Sequence, residues 1–282
     1  MPAKPRLGQN FLVDAQAAQR IASAAGDLAG RTVIEIGPGR GAITAALASR
    51  AARLVAVELD PQLALGLRAE FPPAGPDRVT VIEQDVLRFD FEQAREQFGS
   101  GSERLIVVGN LPYGVTSPIL HRLAASHASI ERAVLMVQRE VADRIVARPG
   151  SRDYGLLSVT LQLIGPSERL FTLPPEAFSP PPEVHSTVFR WRFAPRFAEL
   201  GLAEATFLRF ARRAFAQKRK TLANNLRAAG WPSTTVAEAL AQASIAPQAR
   251  AEELSLETLA TLCRWLETKS AAAASGNPAF FS

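Results

Sequence analysis

Strand-like and helix-like segments alternate through the first two thirds of this 282-residue chain. The strand-like segments are short, apolar and rich in β-branched residues, and they comprise residues 32–36, 54–58, 79–82, 105–108 and 133–137. Between them lie Ala- and Leu-rich segments with helical patterns, such as residues 42–49 and 62–71. This alternation predicts an α/β fold in which helices cover a mostly parallel sheet.

Two later segments, residues 156–164 and 184–193, have a different pattern. Their apolar and polar residues alternate, as is typical of antiparallel strands. A Pro-rich stretch at residues 173–182 lies between them. We therefore expect the parallel sheet to end in an antiparallel pair of strands formed by these two segments.

Helical periodicity dominates after Phe193. The segments predicted to be helical are residues 203–229, 234–243 and 255–267. We therefore predict two domains, an α/β domain at residues 1–194 and a small all-helical domain at residues 195–269. The Ala-, Ser- and Gly-rich residues 270–282 are expected to form a flexible tail.

The composition limits the class of protein and its partners. With 47% hydrophobic and 21% charged residues, the chain has the composition of an ordinary globular protein. Its net charge of +5 favours a polyanionic partner, although many globular proteins without one are also basic. The single cysteine, Cys263, excludes an internal disulfide and a cysteine-based metal cluster. No apolar run has the length of a signal peptide or a membrane span, so we expect a cytoplasmic protein without a membrane partner.

A glycine-rich turn follows the first predicted strand of the sheet, in the sequence Glu35-Ile36-Gly37-Pro38-Gly39-Arg40-Gly41. Glycines allow a tight turn and a close approach of the backbone to a ligand. With Ala42 in the third small-residue position and Glu58 ending the second strand, the segment satisfies a loose version of the dinucleotide fingerprint. An NAD-dependent oxidoreductase is therefore an alternative on these residues alone.

Two further features favour a nucleoside without phosphates over a dinucleotide. Pro38 removes an N–H group that could otherwise face a pyrophosphate. Asp85 ends the third strand and places a second acidic residue at the same edge of the sheet, where a pyrophosphate would be repelled. Glu58 is then predicted to bind ribose hydroxyls and Asp85 an adenine amine. Each carboxylate taken alone is also consistent with a surface charge at a strand end.

The sequence Asn110-Leu111-Pro112-Tyr113 follows the fourth predicted strand. The carboxyl edge of an open α/β sheet is where ligands bind. The Asn110 amide oxygen and the Leu111 carbonyl can accept both hydrogens of an exocyclic amino group, and the Tyr113 ring can stack on the heterocycle that carries it. A strand that simply ends in a proline turn is the alternative interpretation.

A cluster of basic residues is predicted on one helical face of residues 207–227. Helical spacing groups the apolar residues Leu208, Ala211, Phe215, Leu222 and Leu226. The same spacing places on a different face the cations Arg209, Arg213, Lys220 and Arg227. A face with four cations and no acid favours contact with phosphates, whereas a merely solvated face usually mixes charges of both signs.

Six motifs in order resemble the rRNA adenine N6-dimethyltransferases, in particular their bacterial small-subunit (16S) branch. The match runs from about Leu7 to Leu266 and also includes two C-terminal motifs. The motifs are Gln9-Asn10-Phe11-Leu12, the glycine turn, Glu58-Leu59-Asp60, Gln84-Asp85, Asn110-Leu111-Pro112-Tyr113 and Phe178-Ser179-Pro180-Pro181-Pro182, with residues 216–222 and 250–255 as the C-terminal motifs.

The resemblance implies a Rossmann-like methyltransferase fold and S-adenosylmethionine as the methyl donor. The positions that match the family's cofactor contacts are Asn10, Leu12, Gly37, Glu58, Asp85 and Asn110. It implies that Asn110 and Leu111 orient the target amine, that Pro112 holds this geometry, and that Tyr113 and Phe178 stack on either face of the base. No metal is expected.

The resemblance also implies the substrate and the partner. The substrate is a pair of adjacent adenosines in the 3′-terminal hairpin loop of 16S rRNA, each methylated twice on N6 during late assembly of the small ribosomal subunit. RNA contacts are expected from Lys218 and Arg219 together with the four cations named above. The family usually has Arg at the position of Lys218, so the contact geometry there is expected to differ. We expect a monomer.

Two other functions remain alternatives. The related resistance methylase that modifies large-subunit rRNA shares the fold and chemistry, but the triple proline after Phe178 and the C-terminal motifs argue against it. A non-catalytic assembly or transcription factor on the same scaffold would be expected to carry a degraded Asn-Leu-Pro-Tyr motif, which is intact in this chain.

Overall fold

A seven-stranded sheet lies at the centre of the N-terminal part of the protein in the computed structural model, which describes residues 10–72, 79–99, 101 and 103–275. Two further strands, β1 and β8, form a separate two-stranded sheet. In chain order the nine strands of the described residues are β1 (Phe11–Leu12), β2 (Thr32–Ile36), β3 (Arg53–Glu58), β4 (Val79–Glu83), β5 (Leu105–Asn110), β6 (Ile130–Gln138), β7 (Ser167–Leu173), β8 (Phe178–Ser179) and β9 (Ser186–Arg192).

Eleven α-helices accompany these strands in the described part of the chain. They are α1 (Ala15–Ala24), α2 (Ala42–Ala48), α3 (Pro61–Glu70), α4 (Phe91–Phe98), α5 (Thr116–Ala125), α6 (Arg139–Ile145), α7 (Leu156–Ile164), α8 (Glu204–Ala214), α9 (Leu222–Ala228), α10 (Ser233–Gln242) and α11 (Leu256–Ser275).

The order of the strands in the sheet is β4-β3-β2-β5-β6-β9-β7. Strands β4 to β6 in this order are parallel, whereas β9 is antiparallel to both β6 and β7. The chain moves outward in one direction from β2 to β4 and then returns to β5 on the other side of β2. The carboxyl ends of β2 and β5 therefore form a topological switch point, where ligands bind in sheets of this kind.

The five predicted parallel strands are confirmed. The largest difference is in β6, which begins at Ile130 rather than at residue 133. Four of the β2 side chains are at most 1% exposed and the fifth, Thr32, is 6% exposed. A strand that is buried on both faces has the continuous apolar pattern from which it was predicted.

The predicted strand at residues 156–164 is wrong, because these residues form the helix α7. The antiparallel pair consists instead of β7 and β9, and β7 lies in a segment where no strand was predicted. Most side chains of α7 are buried, including the polar Ser158 and Thr160. A helix buried on nearly all sides lacks an exposed polar face, so its periodicity does not distinguish it from a buried strand.

Three helices of the sheet region, α1, α3 and α4, begin at an aspartate side chain that caps them. The Asp60 carboxylate accepts hydrogen bonds from the backbone amides of Gln62 and Leu63, and Pro61 occupies the first helical position of α3. Asp14 and Asp90 cap α1 and α4 in the same way. An acidic cap satisfies free N–H groups and interacts favourably with the positive end of the helix dipole.

The predicted continuous helix at residues 203–229 is interrupted. Helix α8 ends at Ala214 and α9 begins at Leu222, with turns between them. The Asn225 side chain donates to the carbonyls of Ala214 and Gln217, at 2.8 and 3.2 Å, which satisfies backbone groups at this break. The prediction that these cations share one helical face is therefore wrong: Arg209 and Arg213 lie on α8, whereas Lys220 lies in the turn and Arg227 on α9.

The chain separates into two compact units. The first comprises the residues up to Val146 together with Ile164–Ala194, and the second comprises Ala147–Leu163 and the residues from Pro195 onward. Residues 147–163 were predicted in the first domain, and this assignment is corrected. In the second unit Leu163 and Phe207 belong to the same buried apolar cluster, which explains why this segment belongs with the helices.

The first residues of the predicted flexible tail, 270–275, belong to α11, which continues to Ser275. Residues 276–282 lie outside the described residues, as does Gln9 of the first motif.

Candidate active site

A cavity of about 260 Å³ opens at the switch point between β2 and β5. It is formed by segments that follow β2, β3, β4 and β5, together with the N-terminal residues Asn10, Phe11 and Leu12. All six residues predicted to bind the cofactor line it, namely Asn10, Leu12, Gly37, Glu58, Asp85 and Asn110. Leu111, Pro112 and Tyr113 line it as well. The structure thus brings the first motif, which contains Asn10 and Leu12, into contact with the motif that begins at Asn110, 100 positions after Asn10.

The close packing of β2 against β5 depends on Gly109. A Cβ atom at this position would lie 2.7 Å from the backbone oxygen of Ile36, which is nearer than such atoms normally approach. Glycine therefore lets the two strand ends meet. As a result, the backbone of the glycine turn and the Asn110 motif lie on adjacent sides of the cavity.

The glycine turn is fixed to the next strand by Glu58. The Glu58 carboxylate is 1% exposed and accepts hydrogen bonds from the backbone amides of Gly39, at 3.0 Å, and Asp60, at 2.9 Å. One bond goes to each carboxylate oxygen, so both oxygens are oriented and each retains acceptor capacity. Glu58 thus reaches the cavity as a preorganised acceptor suited to hydroxyl groups.

Asp85 lies on the cavity wall beyond the end of β4. Its Oδ1 atom accepts a hydrogen bond from the Leu87 amide at 2.9 Å, which orients the carboxylate. The side chain is partly exposed and lines the same cavity as Glu58. Two carboxylates follow adjacent strands, as the sequence predicted.

Phe11 supports the glycine turn from the N-terminal side. A Cβ atom at Gly39, where φ is +58°, would lie 3.0 Å from the Phe11 ring. The Arg40 guanidinium lies over the same ring, at 4.6 Å from its centroid. The ring is therefore enclosed between the turn and a cation, an arrangement that favours a fixed geometry.

The Asn110 amide is oriented by the backbone of Asn10. The Asn110 Nδ2 atom donates to the Asn10 carbonyl at 3.2 Å. Because the amide nitrogen is engaged in this way, the hydrogen-bond pattern assigns Oδ1 to the other side of the group as an acceptor. The expected acceptor role of Asn110 thus has a structural basis that the sequence did not reveal.

The residues after Asn110 form a firmly held turn. The Leu111 amide donates to the Met136 carbonyl at 3.0 Å. The Pro112 carbonyl accepts hydrogen bonds from the Val115 amide, at 3.2 Å, and from the Thr116 hydroxyl, at 3.0 Å. The backbone on both sides of the Leu111 carbonyl is thus fixed, as the expected role of Pro112 requires.

Tyr113 is half-buried at the start of a short 3₁₀ turn, Tyr113–Val115. Its hydroxyl lies 2.8 Å from the Ser186 hydroxyl on β9. Burial raises the pKa of Tyr113, and the hydrogen bond with Ser186 offsets part of this rise. The ring is therefore neutral at physiological pH.

Phe178 does not line the cavity, whereas the other residues predicted to bind the cofactor or the target base do. Its side chain is 3% exposed and belongs to the apolar core of the first unit. It pairs with Leu12 in the small β1–β8 sheet, so it supports the segment that carries Asn10. The structure thus places Phe178 away from the cavity wall, and its role as the second stacking wall stays a prediction.

The cavity also has walls that sequence reasoning did not single out. They include Leu59, Val86, Leu87, Val115 and Ile119. Leu59 and Val115 are 52% and 39% exposed, so both offer apolar surface to a ligand in the cavity. Their position close after Glu58 and Tyr113 is the signal that could have identified them.

Glu35 is fully buried on β2 beside the cavity. The pKa of Glu35 is raised to about 8, because burial, and to a smaller extent the Glu58 carboxylate, outweigh the lowering effect of the Thr44 hydroxyl. Thr44 is nevertheless too poorly placed for a hydrogen bond of ordinary geometry. Glu35 is therefore mostly protonated at neutral pH.

The predicted RNA-binding cations all lie on the surface of the second unit. The exposed or partly exposed residues are Arg209, Arg213, Lys218, Arg219, Lys220 and Arg227. Lys218 donates to the Arg152 carbonyl at 3.1 Å, which ties the turn after α8 to the loop before α7. The Arg213 guanidinium lies 5.2 Å from the centroid of the Trp231 ring. These cations come from two helices and the turn between them.

Two negative findings apply to the described residues. They contain no group of three or more His, Cys, Asp and Glu side chains that could hold a metal ion. Within the same residues, no helix is both long enough and apolar enough to cross a membrane.

The sequence matches a known family over most of its length. The family described as ribosomal RNA adenine dimethylase matches residues 2–268. A protein from Acidobacterium capsulatum named Ribosomal RNA small subunit methyltransferase A is 58% identical over 267 residues, covering 95% of this chain and 92% of its own. The protein of the same name from Koribacter versatilis is 47% identical and covers 92% and 93%.

Two solved structures share the fold. The 23S rRNA methyltransferase ErmE matches with a TM-score of 0.66 and 28% identity, covering 92% of this chain and all of that one. A dimethyladenosine transferase from Plasmodium falciparum matches with a TM-score of 0.77 and 20% identity, covering 92% and 98%. The family match and the two relatives lead to one conclusion: this chain belongs to the ribosomal RNA adenine dimethylase family.

Proposed function

We propose that this chain transfers methyl groups from S-adenosylmethionine to N6 of two adjacent adenosines in the 3′-terminal hairpin loop of 16S rRNA. Family membership supports adenine dimethylation in rRNA, and the relatives named for the small subunit support the choice of RNA. The observation that carries the site assignment is the Asn110 amide, whose nitrogen is engaged by Asn10 so that its oxygen is free to accept from an amine.

The donor set of the cavity fits S-adenosylmethionine. Its ribose hydroxyls would bind Glu58, its adenine would lie near Asp85, and its amino-acid part would meet the backbone near Gly37. The exposed apolar side chain of Leu59 adds a surface for a flat ring. When bound, this cofactor supplies a methyl group that is activated by a positively charged sulfur.

Asn110 and Leu111 would act on the adenine amine, whose lone pair is delocalised into the ring and is poorly nucleophilic. Accepting both N6 hydrogens on the Asn110 and Leu111 oxygens favours a pyramidal nitrogen with its lone pair directed at the methyl carbon. Formation of the N–C bond would break the C–S bond of the bound donor, the electrons of that bond would remain with sulfur, and N6 would then release a proton to solvent. Orientation and stabilisation of the positive charge on N6 both lower the barrier.

Tyr113 would hold the target base after it has left its stack in the RNA. Its ring lines the cavity next to Asn110 and remains uncharged, so it offers a flat apolar surface. Phe178 is not included in this base-holding wall, because its side chain is in the core. The exposed cations of the second unit would contact RNA phosphates. Because the substrate is a ribosomal particle, we propose that the chain acts in the cytoplasm.

The substrate assignment is tested with radiolabelled S-adenosylmethionine and three acceptors. These are small subunits that lack the modification, fully modified small subunits, and large-subunit RNA. We expect label on the first acceptor alone. Label on large-subunit RNA, which ErmE by its name modifies, would overturn the choice of substrate, and label on none of them would overturn the proposed activity.

The assignment of the site is tested with Asn110→Ala in the same assay. Transfer should be lost, while binding of S-adenosylmethionine remains measurable by calorimetry. Unchanged transfer would refute the role given to Asn110.

A further inference from the structure

The Tyr113 hydroxyl is joined to a buried residue of a strand that is not adjacent to its own. Tyr113 follows β5, whereas its partner Ser186 begins β9, and β6 lies between these two strands. The two hydroxyl oxygens are 2.8 Å apart, a normal distance for an O–H···O hydrogen bond. Ser186 is 0% exposed, so the bond links the cavity wall to the interior of the sheet.

Ser186 is held rigidly on both sides. In the sheet it pairs with Gln138 of β6 and with Leu173 of β7. Its neighbour Thr187 is also 0% exposed, and its hydroxyl lies 3.0 Å from that of Thr172 across the same strand pair. Because its strand is paired on both sides, the Ser186 hydroxyl has a fixed position from which it can hold the Tyr113 hydroxyl.

The backbone contacts of the turn do not by themselves orient the Tyr113 ring. The bonds to Met136 and Thr116 fix the main chain on either side of Tyr113, but its side chain still has two rotatable torsions. An anchor at the far end of the ring fixes the position of the hydroxyl oxygen and so restricts the first torsion. The hydroxyl oxygen lies on the axis of the second torsion, but a phenolic O–H prefers the plane of its ring, so a hydrogen bond to a fixed partner also favours one orientation of the ring plane.

We propose that Ser186 is a positioning residue for methyl transfer, and that its hydroxyl holds the Tyr113 ring in the plane required to stack on the target adenine. This inference rests on the proposed function, since it assigns a task to the same cavity. Ser186 touches neither substrate nor cofactor and acts only through Tyr113.

The electrostatic state of Tyr113 agrees with this role. Burial raises the pKa of the phenol, so it remains neutral and keeps its proton for a hydrogen bond at physiological pH. A negatively charged phenolate would be destabilised by the same burial. Removal of the Ser186 hydroxyl should raise the pKa of Tyr113 further, because the hydrogen bond between the two hydroxyls lowers it.

The test is a double-mutant cycle of Tyr113→Phe and Ser186→Ala. Each single variant should lose about three- to tenfold in kcat, the range of one ordinary hydrogen bond, with an unchanged affinity for S-adenosylmethionine. The double variant should lose no more than the worse single variant, because both changes break the same bond. Thr172→Val is the matched control: it removes a hydroxyl pair from the same strands and should leave kcat unchanged.

An NMR signal separates positioning from a general loss of stability. The sequence contains two tyrosines, Tyr113 and Tyr154, so ¹³C-labelled tyrosine gives two Cζ resonances that Tyr154→Phe assigns. Ser186→Ala should shift the Tyr113 resonance and leave that of Tyr154 in place.

Three results would overturn the inference: wild-type kcat in Ser186→Ala, an unshifted Tyr113 resonance in that variant, or a double-variant loss equal to the product of the single losses. Tyr113→Ala distinguishes these results from a failure of the proposed function. If Tyr113→Ala loses transfer while Ser186→Ala does not, the proposed function stands and the role of Ser186 is refuted.

Discussion

The orientation of single polar groups determines what the cavity can do. Asn110 has one amide, and its nitrogen is engaged by the Asn10 carbonyl, which leaves the oxygen to the cavity. Glu58 is oriented similarly, since one backbone amide binds each of its carboxylate oxygens. These contacts preorganise acceptors before any ligand arrives.

Asn110→Asp should therefore be nearly as damaging as Asn110→Ala. A carboxylate cannot donate to the Asn10 carbonyl and would be repelled by it, so the remaining oxygen loses its direction. We expect kcat to fall by roughly a hundredfold or more. The dissociation constant of S-adenosylmethionine should rise by much less, because Asn110 is only one of the six residues predicted to bind it. Single-turnover methylation and calorimetry measure the two quantities, and near-normal turnover would show that the contact with Asn10 is unimportant.

At the residue scale, the sequence predicted which polar residues lie at the cavity but not the contacts that orient them. Residue type and position at strand ends identified Glu58, Asp85 and Asn110. The engagement of the Asn110 nitrogen by a backbone carbonyl 100 positions earlier has no sequence signal. The position of Phe178 away from the cavity wall also has no sequence signal, because an aromatic residue beside prolines is equally suited to a core, and here its side chain is buried.

Glu35 predicts a dependence of stability on pH. Its pKa is about 8 in the folded protein and 4.5 ordinarily, so the folded state holds a proton that the unfolded state has released between these values. Its contribution is fully present below pH 4.5 and is lost as the pH rises through 8, with a slope of at most about 1.4 kcal/mol per pH unit. Glu35→Gln should remove this loss.

Urea unfolding at a series of pH values between the ordinary and the raised pKa of Glu35 measures this effect. The free energy of unfolding of Glu35→Gln relative to wild type should increase with pH across this range. Parallel pH profiles for the two proteins would contradict the assignment of a buried, protonated Glu35.

At the scale of elements, the cavity lies where the carboxyl ends of the paired strands β2 and β5 meet. Both strands were predicted from continuous apolar runs, and their parallel pairing follows from the alternation with helices. The helix α7 was predicted as a strand because its polar residues alternate with apolar ones while nearly all are buried. The break between α8 and α9 was missed because apolar spacing alone continues across the turns.

Gly109→Ala should disturb this strand junction. The new Cβ atom would lie 2.7 Å from the Ile36 carbonyl oxygen, so the backbones of β2 and β5 would have to separate. We expect a loss of about 1–3 kcal/mol in the free energy of unfolding, together with reduced methyl transfer.

Gly66→Ala is the control for this change. Gly66 lies within α3 with no other atom near a new Cβ, so alanine should stabilise the protein by about 0.5–1 kcal/mol. Chemical denaturation compares the two variants. Equal stability of Gly109→Ala and wild type would refute the requirement for glycine at this junction.

At the scale of the whole molecule, the cavity and the cations predicted to bind RNA belong to different units. The first holds the cavity, and the second carries exposed cations on α8, α9 and the turn between them. Segment composition predicted a helical C-terminal part. The membership of residues 147–163 in the second unit depends on long-range packing of Tyr154 and Val159, which the order of residues does not reveal.

The cations at residues 218–220 should contribute to binding of the small subunit through phosphates. Replacing Lys218, Arg219 and Lys220 together by alanine should weaken binding and make the slope of log K against log salt shallower, by about one for each phosphate that is no longer bound. Affinity for S-adenosylmethionine should not change.

Lys269→Ala, which removes a cation paired with Glu238, is the control for removal of a positive charge elsewhere on the second unit. It should leave both the affinity for the small subunit and the salt slope close to those of wild type. An unchanged salt slope in the triple variant would contradict a role for this turn in RNA binding.

The most direct test of the central claim is mass spectrometry of nuclease-digested 16S rRNA after incubation of unmodified small subunits with the protein and S-adenosylmethionine. The proposed function predicts two adjacent N6,N6-dimethyladenosines in the 3′-terminal hairpin loop, and none with Asn110→Ala. Methylation elsewhere in the RNA, at another atom, or unaffected by Asn110→Ala would contradict it.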